Sequence, residues 1–238
     1  MIGALMKSQI KNDSKSILRD PFLRYLSPVP LILALVFISF QNRMIEMFSS
    51  YNIDYYQYQD LLISFLILTI GPSMFGMMYG FIFLDYKDEK IFEALELTPI
   101  GNGRLLILRL IIPYVLSVSI TAFSLLLVDK NIPILLLILI VLLSGLNAPL
   151  YALILGVIAK NKIQGMSIQK VSGILMIIPI ISYFLKGPYV VILGIDPIFW
   201  NFQAFCLIGT DYGLVIVYCM IGLSYYLAII GFLLKRLH

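Results

Sequence analysis

Asp85-Tyr-Lys-Asp-Glu-Lys-Ile-Phe-Glu-Ala-Leu-Glu-Leu-Thr-Pro-Ile-Gly-Asn-Gly-Arg-Leu-Leu-Ile-Leu-Arg109 is the densest charged segment in an otherwise overwhelmingly apolar chain. On a helical wheel Glu89, Glu93 and Glu96 share one face, while Ile91, Phe92 and Leu95 share the other. Asp88 adds a further acid at the start. The stop is local as well: Pro99 biases Thr98 away from helical angles, and Gly101 and Gly103 follow before a new helix near Arg104. A two-to-three-turn helix, acidic on one side and apolar on the other, suits a docking face at a membrane surface. The plainer alternative is a solvated connector between two membrane spans.

Everything around this stretch reads as membrane. Hydrophobic residues make up 61% of the chain, mean hydropathy is +0.97 and only 13% of residues are charged, whereas soluble domains are about 45–50% apolar. A length of 238 residues accommodates about six spans of roughly 20 residues each with short connections, leaving no room for a soluble catalytic domain. The expected architecture is therefore an all-α integral membrane protein of six transmembrane helices. Lys7, Lys11, Asp13, Lys15, Arg19, Asp20 and Arg24 interrupt any apolar run at the start, which excludes a cleavable signal peptide there.

Charge placement orients the chain. Of 17 Lys and Arg, the inner side of a six-span arrangement receives the five from Lys7 to Arg24, then Lys87, Lys90, Arg104, Arg109, Lys160, Lys162, Lys170, Lys235 and Arg236. Only Arg43, Lys130 and Lys186 fall outside. The positive-inside rule then puts both termini and the charged stretch in the cytoplasm, and a bacterial or archaeal cell membrane is the expected location.

Taken in order, residues 1–24 carry Lys7, Lys11, Lys15 and Arg19 at helical steps with Met6, Ile10 and Ile17 elsewhere on the wheel, a helix suited to lie on anionic headgroups. The six-span domain is residues 25–238, with spans expected at about 26–48, 61–84, 105–128, 132–159, 171–188 and 213–234. Tyr51 to Asp60 reads as an outer loop whose tyrosines anchor at the interface, and Lys160 to Lys170 as a second inner loop. Candidate hinges are Gly71, Pro72, Pro113, Pro149 and Pro179. Gly76-x-x-x-Gly80 offers close helix packing. Asn147 is either an interhelical hydrogen bond or a path-lining group. Residues 189–213, broken at Gly194, Asp196-Pro197, Trp200-Asn201 and Gly209, cannot form one clean span; they read as short helices dipping into the outer leaflet, with Trp200 and Tyr212 as interface anchors.

Several chemistries lack their residues. The chain has no P-loop, its only histidine is His238, no cluster has metal-ligand spacing, and Cys206 and Cys219 make no disulfide framework. No Asp, Glu or Lys stands at mid-span, which argues against a proton- or sodium-driven carrier and against a membrane-embedded hydrolase. The chain reads as the passive half of a machine.

Phe75 to Glu89, Glu93 to Ile100 and Leu105 to Pro113 together resemble the inner loop of permease subunits of type-2 ABC exporters: a charged run, a short helix ending in Leu-x-Thr-Pro, and a new span. Ile10 to Pro21 is similar to the amphipathic connecting helix that opens such subunits. Within these the chain resembles the fluoroquinolone-export permease group most. The resemblance implies a cytoplasmic coupling helix over Glu89 to Pro99, between the second and third spans, that seats on an ATPase subunit through Asp88, Glu89, Ile91, Phe92, Glu93, Leu95 and Pro99. It implies two copies of that ATPase, carrying the ATP and Mg, and a second permease subunit, identical or not. It also implies that the first and fifth spans face that second subunit and that outer re-entrant helices between the fifth and sixth spans, with Asp196, Pro197 and Trp200, cap the path. The expected function is multidrug-type efflux of a hydrophobic or amphiphilic drug, lipid or peptide by a non-catalytic subunit that holds no cofactor of its own. Two rival readings are a non-transporting protein for toxin immunity and a membrane enzyme modifying lipid or peptide, for which the chain shows no convergent polar site.

Overall fold

The computed structural model describes residues 2–89, 102–128, 132–185 and 187–236; no strand occurs among them. Six helices among the described residues are long and apolar enough to cross a membrane. The N-terminal helix Ile2–Arg19 precedes a first span, Pro21–Ser50, made of the short helix Pro21–Leu26 and the long helix Val29–Ser50. The second span, Tyr55–Asp88, is followed by the third helix, Asn102–Leu127, the fourth span Ile134–Ile158, the fifth Lys162–Phe184 and the sixth Tyr212–Arg236. Between the fifth and sixth lie a 3-10 segment, Pro188–Ile195, and the short helix Pro197–Cys206.

Prolines shape these helices, each in its own way. Pro149 and Pro179 each stand three residues after a helix interruption, at Leu146 and Met176, so the fourth and fifth spans are each two helices end to end. A proline cannot donate to the residue four before it and clashes with that carbonyl, so it is best accommodated in a helix's first turn. Pro113 sits within a helix that runs on past it. Pro72 follows a π-helical stretch, Ser64–Ile70, in which the Gly71 amide reaches back five residues to the Leu66 carbonyl.

The second and fourth spans form the buried centre. On the second span every residue from Phe75 to Leu84 is buried. Gly76 and Gly80 are the reason the two helices lie so close: a Cβ on Gly76 would fall 2.4 Å from the Ala148 carbonyl oxygen, and one on Gly80 would fall 2.5 Å from Leu155 Cδ1. The small-x-x-x-small spacing thus sets this packing. At the inner end Gly165 of the fifth span approaches Leu84 in the same way.

Three expectations change. The second span begins at Tyr55, not Leu61, because Asp54 caps it by accepting from the Tyr56 amide. Of the tyrosines in that stretch Tyr51 and Tyr56 are exposed, but Tyr55 is 2% exposed and packs edge-on against Phe48. The fifth helix begins at Lys162 rather than Val171: Asn161 accepts from the Gln164 amide while Gln164 accepts from the Lys160 amide, a reciprocal cap. Trp200 is no interface anchor. It is 9% exposed, its indole N–H donates to the Gly194 carbonyl at 2.9 Å, and its Cβ lies against Gly222 of the sixth span.

Gly76→Ala drives a methyl into backbone and is expected to cost about 1–3 kcal/mol, the range for overpacking. Gly80→Ala meets only a leucine side chain and costs less, and Gly173→Ala, with nothing within 4 Å, is neutral. Thermal unfolding of the purified protein in detergent orders the three.

Candidate functional site

The inner end of the second span is where the charged stretch leaves the membrane, and it is bound to four other elements. Asp85 Oδ1 pairs with Lys162 Nζ at 2.7 Å, and the same ammonium pairs with Asp20 Oδ2 at 2.6 Å. Asp20 in turn caps the first span through the Phe22 amide at 2.8 Å. Lys87 Nζ donates to the Ala159 and Gly156 carbonyls at 3.1 and 3.4 Å, closing the C-terminal end of the fourth span where helix carbonyls lack donors. Tyr86 carries the Arg109 guanidinium 3.6 Å over its ring and donates its hydroxyl to Asp13 Oδ1 at 3.4 Å. One run of three residues therefore touches the N-terminal helix and the third, fourth and fifth spans, and reaches the first span's cap through Lys162.

Burial raises the Asp13 carboxyl above its ordinary range, against the opposing pull of Arg109 and the Tyr86 hydroxyl. At Asp20 burial pushes the same way but is outweighed by the Lys162 bond and charge and by the Phe22 and Leu23 amides, so its carboxyl lies below the ordinary value. The face that the N-terminal helix turns to the bundle is thus polar at Gln9 and Asp13, both buried, with Ile10 and Leu18 exposed. Sequence periodicity marked its basic stripe and missed this acid. Asp88 and Glu89 stand exposed at the tip of the second span. Ile91, Phe92, Glu93, Leu95 and Pro99 lie outside the described residues.

Half-way through the bundle is a second polar knot. The donor for the Leu68 carbonyl in an α-helix would be the amide of residue 72, which is proline. That carbonyl instead accepts from Ser144 Oγ at 2.8 Å, Asn147 Nδ2 at 3.2 Å and Asn201 Nδ2 at 3.2 Å. Asn147 Oδ1 accepts from the Tyr226 hydroxyl. The second and fourth spans and the short helix Pro197–Cys206 meet at one oxygen, and Asn147 ties the sixth span to them. Of the two sequence readings of Asn147, the geometry matches the interhelical bond: the residue is fully buried and both ends of its amide are engaged.

The same knot sets the depth of the re-entrant segment. Cys206, at the end of the short helix, lies 3.6 Å from Ser64, and Asn201 lies at Leu68. Asp196, at the other end, is therefore deeper. It shares a cavity wall with Tyr151 of the fourth span, and the carbonyl of the adjacent Ile195 accepts from the Tyr225 hydroxyl at 2.8 Å. Tyr225 is near the middle of the sixth span. The expectation of no carboxylate at mid-depth is thus corrected: no span carries one there, but the re-entrant segment delivers Asp196. The signal was present as Asp196-Pro197, a helix start; nothing local told how far inward that start lies.

Asp196 opens onto a cavity of about 490 Å³ whose wall includes Leu150, Tyr151, Ile154, Ile178, Pro197 and Ile229. Asp196 Oδ1 accepts from the Ile198 amide at 3.1 Å. Its Oδ2 is buried without a hydrogen-bond partner among the described residues.

The family model described as Fluoroquinolones export permease protein Rv2686c-like matches residues 13–234. Two curated relatives from Mycobacterium tuberculosis are similar to the chain along nearly its whole length. They are Fluoroquinolones export permease protein Rv2686c of strain ATCC 25618 / H37Rv and Fluoroquinolones export permease protein MT2760 of strain CDC 1551 / Oshkosh. Each is 27% identical over 237 residues, which is 95% of this chain and 91% of the relative. No solved structure matches.

Asn147→Leu removes one of the Leu68 donors and strands the Tyr226 hydroxyl. It is expected to lower stability by about 1–2 kcal/mol, near the upper range for hydrogen bonds between membrane helices. Tyr226→Phe removes the hydroxyl and leaves Asn147 Oδ1 without its donor, and costs about 1 kcal/mol. Thermal unfolding in detergent reads both.

Proposed function

The chain belongs to the Rv2686c-like family of fluoroquinolones export permease proteins, and from that premise we propose that it is the membrane subunit of an exporter driven by a separate ATPase. Family membership makes it a permease of an exporter, embedded by six spans. The proposal adds the drive. The single observation that carries it is the clamp at the root of the charged stretch: Asp85, Tyr86 and Lys87 reach the N-terminal helix and four spans' ends. A push applied to the segment after Glu89 enters the bundle through those contacts. The acidic and apolar faces of the sequence from Glu89 to Pro99 supply complementary surfaces for a partner to grip.

On this reading the ATPase, in two copies, holds ATP and Mg, the permease pairs with a second permease subunit, and the residues over Glu89 to Pro99 form the coupling helix. ATP-driven movement of that helix switches the spans between inward- and outward-facing arrangements. The cargo is an amphiphilic compound of the fluoroquinolone kind, as the relatives' names suggest. Both termini and the charged stretch face the cytoplasm, since 14 of the 17 basic residues fall on that side.

A second reading, a carrier driven by protons, has one observation behind it, the mid-depth Asp196. The two part in vesicles: transport by the permease with its ATPase requires ATP on the proposed reading, whereas a pH gradient alone suffices on the other.

Reversing Glu89 and Glu93 to Lys together with Phe92→Ala is expected to abolish co-purification of the partner ATPase. Lys162→Met leaves that co-purification intact but severs Asp85 from Asp20, so ATP turnover persists while transport falls about tenfold or more, a coupling loss of at least about 1.4 kcal/mol. Full transport by Lys162→Met would refute the clamp as the route. In a cysteine-free background, a thiol at Asp88 is expected to react with impermeant reagents only from the cytoplasmic side, and one at Tyr51 only from outside.

A further inference from the structure

We propose that the cavity between the fourth, fifth and sixth spans and the re-entrant segment is a binding site for an apolar organic cation, with the Asp196 carboxylate as its counter-charge. That the occupant is cargo rests on the exporter reading; that it binds does not.

The volume, about 490 Å³, is within the range of small-molecule sites, about 300–1,000 Å³. The wall is aliphatic at Leu150, Ile154, Ile178 and Ile229, and among the described residues no Lys, Arg or His lines it. Its polar side chains are few: Ser172, which donates to the Ile168 carbonyl, Tyr151 and Asp196. Asp196 differs. The helix start at Pro197 satisfies one of its oxygens, through Ile198, and leaves the other buried and unmatched.

An ionised carboxylate at this depth is costly unless paired. A neutral occupant fills the cavity without relieving that cost, and an anion adds to it. A metal ion needs several ligands, and no group of three acidic, cysteine or histidine side chains gathers among the described residues. A cation whose charge is spread over an apolar body satisfies the walls and the carboxylate together. Asp196 stands where the wall is made by helices of three different spans, so one ligand touches each of the elements whose separation would open the cavity.

The test uses two probes of matched shape and opposite charge, tetraphenylphosphonium and tetraphenylborate, on the purified full-length permease in phosphatidylcholine nanodiscs without ATPase or ATP. Radiolabelled tetraphenylphosphonium is expected to bind and tetraphenylborate not to compete. Asp196→Asn keeps the shape and weakens binding about tenfold or more, the equivalent of about 1.4 kcal/mol, while Asp196→Glu retains most of it. Ile178→Trp keeps the carboxylate, fills the space and abolishes binding; it decides the matter should Asp196→Asn fail to elute as a folded protein. Equal binding by Asp196→Asn, equal competition by tetraphenylborate, or unchanged binding by Ile178→Trp each overturns the proposal. So does a co-purifying lipid that neither ion displaces, since the cavity is then an acyl-chain site. Because no ATPase is present, failure here leaves the exporter reading intact, and failure of coupling leaves this site intact.

Discussion

A carbonyl without a donor cannot be left in lipid, and the Leu68 carbonyl is one. Pro72 takes away its α-helical partner, and water is not there to replace it. The cost of stranding such a group, about 1–3 kcal/mol, makes the donors from Ser144, Asn147 and Asn201 a condition of the fold. Apolar contact between helices is a weak guide in a solvent as apolar as leucine, so directional bonds decide how they assemble. Here a helix defect in one span writes the address to which the fourth span and the re-entrant helix are sent, and Tyr226 brings in the sixth through Asn147.

Around that address the second and fourth spans behave as one body. Gly76 brings backbone against the Ala148 backbone and Gly80 lets the Leu155 side chain close in, and Lys87 closes the fourth span's end from the second span's own tip. The fifth span is held to this pair differently. Its contacts to the second span lie at both ends: Gly165 against Leu84 and Phe81 and Lys162 between Asp85 and Asp20 at one, and the Tyr183 hydroxyl donating to the Gln57 carbonyl at the other. The Lys162 contacts are partly exposed ion pairs, each worth about 1 kcal/mol or less, and so are suited to be remade in a switch.

Much of this was legible in sequence because it is local. Hydropathy and charge placement give the spans; Pro149 and Pro179 announce helix starts, and the glycine spacing announces a close contact. The partners were not legible. Gly76 does not say that Ala148 lies opposite, and Asn147 does not say which carbonyl it serves. Asp196 shows the gap most sharply: as a helix cap before a proline it is readable, yet its depth follows from Asn201 meeting Leu68, residues 133 positions apart. The Asn161–Gln164 cap was readable and was masked by the polarity of Lys160 to Lys170, which looked like a loop because its helix starts beyond the apolar stretch. The tyrosine segment misled in the same way, polar by composition and helical by its Asp54 cap.

The clamp and the cavity then stand in a definite mechanical relation. The cavity is walled by the fourth span on one side and by the fifth and sixth on the other, with Asp196 carried by a segment fixed to the second. Because the second and fourth spans are locked together, a displacement at Glu89 cannot separate Tyr151 from Asp196 without breaking the knot at Leu68. It can tilt the fifth span about its Tyr183–Gln57 bond, because the ion pairs of Lys162 lie at the end where that displacement enters. On the proposed reading the cavity's far wall therefore yields while the wall that bears the carboxylate stays, so the charge that selects an occupant is kept in place while its enclosure changes.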